Sequence, residues 1–479
     1  MTTKAIPLPQ SQAEEHEHED EVREHLLLDP RPRSELNRMV MEAMQTTTPM
    51  FWVVVSLLAL LTTVCLFGAW LYMGLTGMGV AGIRRPTYWG MFIATFVFWI
   101  GISHAGTFVS AILRVFKAEF RRPLTRAAEL MTTFGLAAGA MYPLIHLGRV
   151  WVGYWIMPYP NNRWLWPNFR SPLVWDMIAI TTYLLGSTLY VYMPLIPDVA
   201  MARDRSKGWR YQFYRILALG WRGTEGEWQR LRSAIQIFAY AIIPVMFSVH
   251  TIVSWDFAVS KTPGWHSTLF GPFFIAGAIY SGVSAVGMIL FLIRTTMKNM
   301  DYFIRAEHFD AIGKLMLVFS FTWTYFYFNE YILAWYGGDL SDQYVWQALT
   351  KGEFAWMWYL MLVFNIAVPW LTLWNKRVRR TPWMLFGLGF VINIGMYIER
   401  YLIVPGMITR NRFPFMWDGY APRIELLIAV GSLSLFLLLY ALASRLIPII
   451  PVWEVQEGQV ATMLRRIGKA KVPTISELE

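Results

Sequence analysis

Apolar residues gather into runs of about bilayer length near Met50–Gly74, Tyr88–Leu113, Leu130–Trp155, Pro172–Ile196, Ala234–Trp255, Thr268–Ile293, Leu315–Trp335, Phe354–Trp374, Trp383–Val404 and Ile424–Leu446. A helix rising about 1.5 Å per residue needs about 20 such residues to cross the hydrocarbon core. Only a helix or a closed barrel satisfies its own backbone there. The pattern therefore predicts an all-α integral membrane protein with about ten transmembrane helices. Gly and Pro inside the runs do not argue against this, because both are common in membrane helices.

The segments between the runs alternate in basic content. The connection after the second run holds Arg114, Lys117, Arg121, Arg122 and Arg126, and the one after the fourth runs from Arg203 to Arg232 with eight Arg and Lys. Those after the sixth and eighth hold Arg294, Lys298, Arg305 and Lys314, then Lys376, Arg377, Arg379 and Arg380. The others are poorer: Arg84 and Arg85, Arg163 and Arg170, Lys261, Lys351, and Arg410 with Arg412. By the positive-inside rule the rich set is cytoplasmic, and an even number of spans then puts both termini there. The expected organisation is a cytoplasmic acidic N-terminal tail over 1–49, a flanking helix over 50–75 and a first four-helix bundle over 88–256. A second four-helix bundle over 268–404, a flanking helix over 423–447 and a cytoplasmic tail over 448–479 follow. The two sets of four share an orientation, which is compatible with a parallel duplication. The loop Pro158–Pro172, rich in Pro, Asn and Trp, is expected to dock a partner or lie on the membrane surface.

Composition sharpens the picture. The chain has 479 residues, 56% hydrophobic and only 15% charged, which no soluble domain of this length matches. Its formal charge is +10, but the basic residues sit between spans and read as topology signals and anionic-lipid contacts, not as a nucleic-acid surface. The stretch Glu14–Glu21, with His16 and His18, reads as a solvated tail, not a cleaved leader. The one cysteine, Cys65, is insufficient for an internal disulfide, a covalent haem or an iron–sulfur cluster, so such centres are expected on partners. No metal site is expected.

Ionisable residues inside spans cost roughly 2.5–3.5 kcal/mol each on insertion scales and call for a role. With the topology above, His146 and Arg149 fall in the outer third of the third span and Asp176 near the outer start of the fourth. His250 and Asp256 fall near the outer end of the fifth, Glu330 in the outer part of the seventh, and Glu399 with Arg400 likewise in the ninth. Polar groups from five helices thus converge on one depth. Imidazole and carboxylate side by side suit a lipid-soluble ligand with exchangeable protons, such as a quinol. The bland alternative is a structural cluster tying helix ends together. His104, Glu119, Glu129 and Asp198 lie deeper or further inward, and with Asp256 and Glu399 form a candidate proton path; surface pairing of the inner ones is the competing reading. Intrinsic haem is not expected: His104 and His146 stand about 15 Å apart along the membrane normal at 1.5 Å per residue.

The stretch Thr87–Arg149, with its His-Ala-Gly-Thr and Pro-Leu-Ile-His-Leu-Gly-Arg segments, resembles the NrfD/PsrC-type membrane subunits of the polysulfide-reductase class. With Arg170–Arg205 (RSPLVWD…IPDVAMARDR), it is most similar to the larger quinol-binding membrane subunit type of bacterial alternative complex III. The resemblance implies two four-helix bundles plus flanking helices in a bacterial plasma (inner) membrane. It implies an iron–sulfur subunit on the outer face, multihaem cytochrome c subunits nearby and a second membrane subunit of the same type. It puts the quinol site at the outer end of the first bundle, with the family's histidine on His146 and its aspartate on Asp176.

The reading is a membrane subunit that binds and oxidises menaquinol or a similar quinol near the outer face and hands electrons to an iron–sulfur partner, in respiratory or photosynthetic electron transfer. Proton translocation through the inner acidic residues is the associated expectation. The competitors are a secondary transporter using the same carboxylates and a non-catalytic anchor of the same kind of complex.

Overall fold

The computed structural model describes residues 31–82, 90–156, 171–259, 264–408, 422–461, 464–467 and 470–473. The acidic stretch Glu14–Glu21, most of the Pro158–Pro172 loop, and Arg84, Arg85, Lys261, Arg410 and Arg412 lie outside these residues.

In chain order the helices are α1 Arg33–Gln45, α2 Pro49–Thr76, α3 Met91–Val115, α4 Thr125–Leu147, α5 Pro172–Asp204, α6 Trp209–Leu217 and α7 Glu225–Ala258. They continue with α8 Phe270–Thr296, α9 Ala306–Gly337, α10 Leu340–Lys351, α11 Ala355–Thr372, α12 Pro382–Gly406, α13 Arg423–Leu446 and α14 Val452–Ala461. A two-stranded hairpin, β1 Leu464–Ile467 and β2 Ala470–Pro473, follows. Among the described residues, nine helices are long and apolar enough to cross a membrane. The tenth expected span lies within the 32-residue α9. Its stretch from Ser320 to Glu330 carries Trp323, Tyr325, Tyr327 and Asn329, which lower its hydropathy without shortening it.

The spans end where local chemistry dictates. The third, expected to reach Trp155, stops at Leu147, where Gly148 takes a positive φ of 66° and a 3-10 turn over Val150–Ile156 begins. The fourth continues past Ile196 to Asp204, despite Pro194 and Pro197 within it. The fifth begins at Glu225 instead of Ala234, because Thr224 and Glu227 form a reciprocal cap.

Helices α3, α4, α5 and α7 pack in one ring, and α8, α9, α11 and α12 in another. Helix α3 is buried on nearly every face and meets α8 at close quarters. A Cβ on Gly282 would fall 2.0 Å from Cβ of Ala105, so this crossing depends on a glycine. Helix α2 packs on α13, outside both rings, and keeps most of its apolar surface exposed, as a lipid-facing helix must. Glu425 of α13 is fully buried and accepts from the backbone N–H groups of Met91 (3.3 Å) and Phe92 (3.4 Å), so it caps the start of α3.

Helices α1, α6 and α14 gather at one end of the bundle, called here the basic end. The C-terminal segment, expected as a tail over 448–479, is in part packed into the bundle: Val452, Trp453, Glu454 and Val455 are buried. Glu454 receives Arg114 at 2.8 Å and Arg121 at 2.5 Å. Burial alone would raise its carboxyl, but Arg114 and then Arg121 overcome this and hold it at about 2. Helix α1 is tied down by Arg445, which donates to Ala43 O (2.6 Å) and Thr46 O (2.8 Å), and by the Lys298–Glu42 ion pair.

Candidate functional site

At the end opposite the basic one, α4 ends beside the starts of α3 and α5. His146 stands in the last turn of α4, edge-on to Phe92 with ring centres 6.4 Å apart. Its Nδ1 is buried and, among the described residues, has no hydrogen-bond partner. Asp176 lies in the second turn of α5, 8% exposed, and Asp256 near the end of α7, 7% exposed. Their carboxyl groups lie within reach of each other, and Asp176 Oδ1 and Asp256 Oδ1 are each buried without a partner among the described residues. Two carboxyls within such reach need one proton between them, leaving room for one more. Among the described residues no hydrogen bond joins His146 to Asp176; the carboxyl within reach of Asp176 is that of Asp256. Arg149 lies just past the end of α4, exposed.

The neighbours of the two aspartates, Trp175 and Trp255, meet edge-on at 6.0 Å and line a cavity of about 590 Å³. Its wall is mostly apolar, with Thr251, His266, Ser267 and Thr268 as polar members. Ser267 also donates to Glu330 of α9 at 2.5 Å, and His266 lies 3.5 Å from Asp342. Glu330 is thus buried and held by a serine of the cavity wall.

A second constellation crosses the middle of the bundle. His104 of α3, expected among the inward residues, packs against His250 of α7 with ring centres 4.8 Å apart. Separations along the sequence put the two at different depths; the packing of α3 on α7 brings them together. On its other face His104 stacks on Tyr183 at 4.2 Å with the planes 4° apart. His104 Nδ1 lies 2.6 Å from Ile100 O and His250 Nε2 lies 3.2 Å from Phe274 O, so each donates to a backbone carbonyl. His104 Nε2 and His250 Nδ1 remain buried and unpartnered among the described residues. Phe274 O also accepts from Arg400 Nη2 at 3.2 Å, and the guanidinium lies 4.2 Å above the Phe274 ring.

Adjacent helical residues usually point apart, yet Glu399 and Arg400 form an ion pair at 3.2 Å, both at most 2% exposed. Trp323 Nε1 donates to Glu399 at 3.3 Å and completes its environment. Space for Arg400 is made by Gly277, where a Cβ would fall 2.7 Å from Nη2.

Toward the basic end the polar run continues. The Tyr183 hydroxyl bonds Thr107 (2.7 Å), and Thr107 bonds Thr132 (3.2 Å). One turn further, Ser110 donates to Glu129 (2.9 Å) and bonds Tyr190 (3.1 Å). Arg126, fully buried, joins Glu129 (3.4 Å) to Asp198 (3.0 Å). Arg126 reads from the sequence as a loop cation; it is instead the centre of a buried cluster. Glu119 does not belong to this run: it is exposed and paired with Arg122 at 2.6 Å. Tyr183, Tyr190, Ser110 and Trp323 escape sequence reasoning, because hydroxyl and indole groups on a span carry no signal beyond the aromatic richness of the whole chain.

Comparison with known proteins fits this arrangement. The family described as polysulphide reductase, NrfD, matches residues 79–410, more than half of the chain. The chain is 24% identical over 421 residues to the Hdr-like menaquinol oxidoreductase integral membrane subunit of Archaeoglobus fulgidus, covering 84% of this chain and 95% of that one. It is 24% identical over 405 residues to the menaquinone reductase integral membrane subunit of Nitratidesulfovibrio vulgaris (78% and 86%). It is 22% identical over 395 residues to a selenate reductase subunit of Mesobacillus selenatarsenatis (78% and 88%). The ten-span bundle, with its polar groups drawn inward from both rings, is therefore that of a multi-pass membrane protein belonging to the NrfD family.

Proposed function

We propose that this chain is the quinol-binding membrane subunit of a quinol:acceptor oxidoreductase complex, of the alternative complex III type, and that menaquinol reacts at His146 and the Asp176–Asp256 pair. The carboxyl pair, each member adjacent in sequence to a tryptophan that lines a cavity of about 590 Å³, carries the reading; His146, Asp176 and Asp256 do not themselves line that cavity. Oxidation of one quinol releases two electrons and two protons. The aspartate pair, already holding one proton, accepts one more, and the lone pair of His146 Nδ1 accepts the other. Arg149 at the rim and the buried Arg400, His250 and Glu330 support the binding region electrostatically. The electrons leave to an iron–sulfur subunit on the outer face, with multihaem cytochrome c and a second NrfD-type subunit in the same assembly. Since Cys65 is the only cysteine, such centres belong to partners. The positive-inside rule puts the basic end in the cytoplasm, and a bacterial plasma membrane, which the family resemblance implies, is part of the proposal.

The buried run from His250 and His104 through Tyr183 and Thr107 toward Glu129, Arg126 and Asp198 supports proton translocation from the basic end, coupled to quinol oxidation. The test is the purified complex with His146→Leu or Asp176→Asn. Quinol oxidation is expected to fall about 10²-fold or more with assembly intact. Normal turnover in both variants overturns the assignment. Function of the chain alone as an ion carrier in liposomes would favour the transporter reading instead.

A further inference from the structure

The basic end holds a cavity of about 550 Å³ between α1, the end of α5 and the turn before α7. That is within the roughly 300–1,000 Å³ typical of small-molecule sites. Four arginines line it: Arg33, Arg203, Arg205 and Arg222, against one carboxylate, Asp204. Asp204 is already held by Arg203 at 2.8 Å. Among the described residues the guanidinium groups of Arg33, Arg205 and Arg222 have no carboxylate partner. Asn37, 5% exposed, also lines the cavity, and its side chain has no hydrogen-bond partner among the described residues. The site is thus rich in donors and poor in acceptors, which is the chemistry of an anion site.

Its apolar side is equally specific. Trp221 and Trp228 meet edge-on at 5.1 Å in the wall. The neighbouring α6 and its exit turn expose Trp209 (64%), Ile216 (69%) and Leu219 (69%), while Arg210 and Arg215 sit on the same short helix. A helix of that kind lies in the plane of the membrane interface, with its apolar residues among acyl chains. An anion that fills the arginine cavity from there carries a hydrocarbon tail.

The geometry points to a binding site for the phosphodiester headgroup of an anionic phospholipid, seated between Arg33, Arg205, Arg222 and Asn37 with its acyl chains along α6. The lipid pins α1 and α6 to the first ring of helices.

The test is native mass spectrometry of the full chain in its complex, delipidated and titrated with dioleoylphosphatidylglycerol. One retained lipid is expected, with binding weakened roughly 30-fold in Arg33→Gln/Arg222→Gln, since each basic side chain near an anionic lipid contributes about tenfold or less. Both residues are exposed and unpaired, so an unchanged Tm separates lost binding from lost folding. Dioleoylphosphatidylcholine should bind no better to the wild type than to the variant. Equal phosphatidylglycerol binding by both proteins overturns the site. So does tight binding of inorganic phosphate or ATP that excludes the lipid. Removal of residues 2–29 leaves lipid binding unchanged if the cavity is a lipid site; a large gain on removal means the acidic N-terminal segment is the occupant, and overturns it as well.

Discussion

His104 and His250 face each other with ring centres 4.8 Å apart, and each has its donor nitrogen committed to a backbone carbonyl. Two lone pairs are left buried in the centre of the bundle without a partner among the described residues, His104 Nε2 and His250 Nδ1, where an unsatisfied acceptor costs about 1–3 kcal/mol. Nothing in packing alone requires that cost, since a phenyl ring would fill either position.

Replacing His250 by Phe therefore separates packing from chemistry. The ring keeps its stack against Phe274 and its tilted contact with His104, so thermal stability should hold or rise. If the pair relays protons, quinol oxidation coupled to proton uptake from the basic end should fall about 10²-fold. Measuring uptake with a pH probe in proteoliposomes, alongside Tm, checks it. Unchanged uptake removes the pair from the path.

Gly277→Ala should act on Arg400 without touching it chemically. The added methyl would lie 2.7 Å from Nη2 and 3.0 Å from Cε of Met396, so the guanidinium must shift off Phe274. Overpacking of this kind costs about 1–3 kcal/mol. Gly387→Ala, where a Cβ meets nothing within 4 Å, is the control and should stabilise by about 0.5–1 kcal/mol. Equal Tm values for the two variants would contradict the close approach.

Arg126→Met should be among the most damaging changes in the chain. It leaves Glu129 and Asp198 buried without their shared cation, a loss of about 3–5 kcal/mol. Adding Glu129→Gln and Asp198→Asn removes the stranded charge and should recover much of the stability. A triple variant no more stable than the single one refutes the cluster account. Thermal unfolding in detergent reads both.

Docking of α14 should depend on pH. The Glu454 carboxyl is held at about 2 by Arg114 and Arg121, against an ordinary value of 4.5. A lowered carboxylate stabilises the docked state fully above 4.5 and progressively less as pH falls toward 2, by on the order of 3 kcal/mol in total. Hydrogen exchange in α14 should accelerate across that window, and Glu454→Gln should abolish the dependence. A flat profile in the native chain would exclude the mechanism.

Much of the architecture was legible because bilayer thickness sets a length that apolar runs must meet. Helix ends were not legible from the apolar runs alone, because caps outside the runs set them. The Thr224–Glu227 cap extends α7 by nine residues beyond its apolar run, from Ala234 back to Glu225. Depth reasoning placed His146, Asp176 and Asp256 at one end of the bundle, and the fold has them there, since position along a span follows from counting. Partnership did not follow. Asp176 meets Asp256 and not His146, and His104 meets His250, because lateral neighbours are chosen by close packing such as Gly282 on Ala105. Glu425 capping α3 joins residues 333 and 334 positions apart, a relation no local pattern encodes.

The ion pairs at Glu454 have a consequence for how the protein is made. Arg114 and Arg121 precede their counter-charge by 340 and 333 residues. At translation rates of about 5–20 residues per second, both cations wait roughly 20–70 s for it. The basic end of the first ring therefore closes only once residue 454 has been made. A chain cut short before residue 454 leaves Arg114 and Arg121 without the carboxylate that joins them.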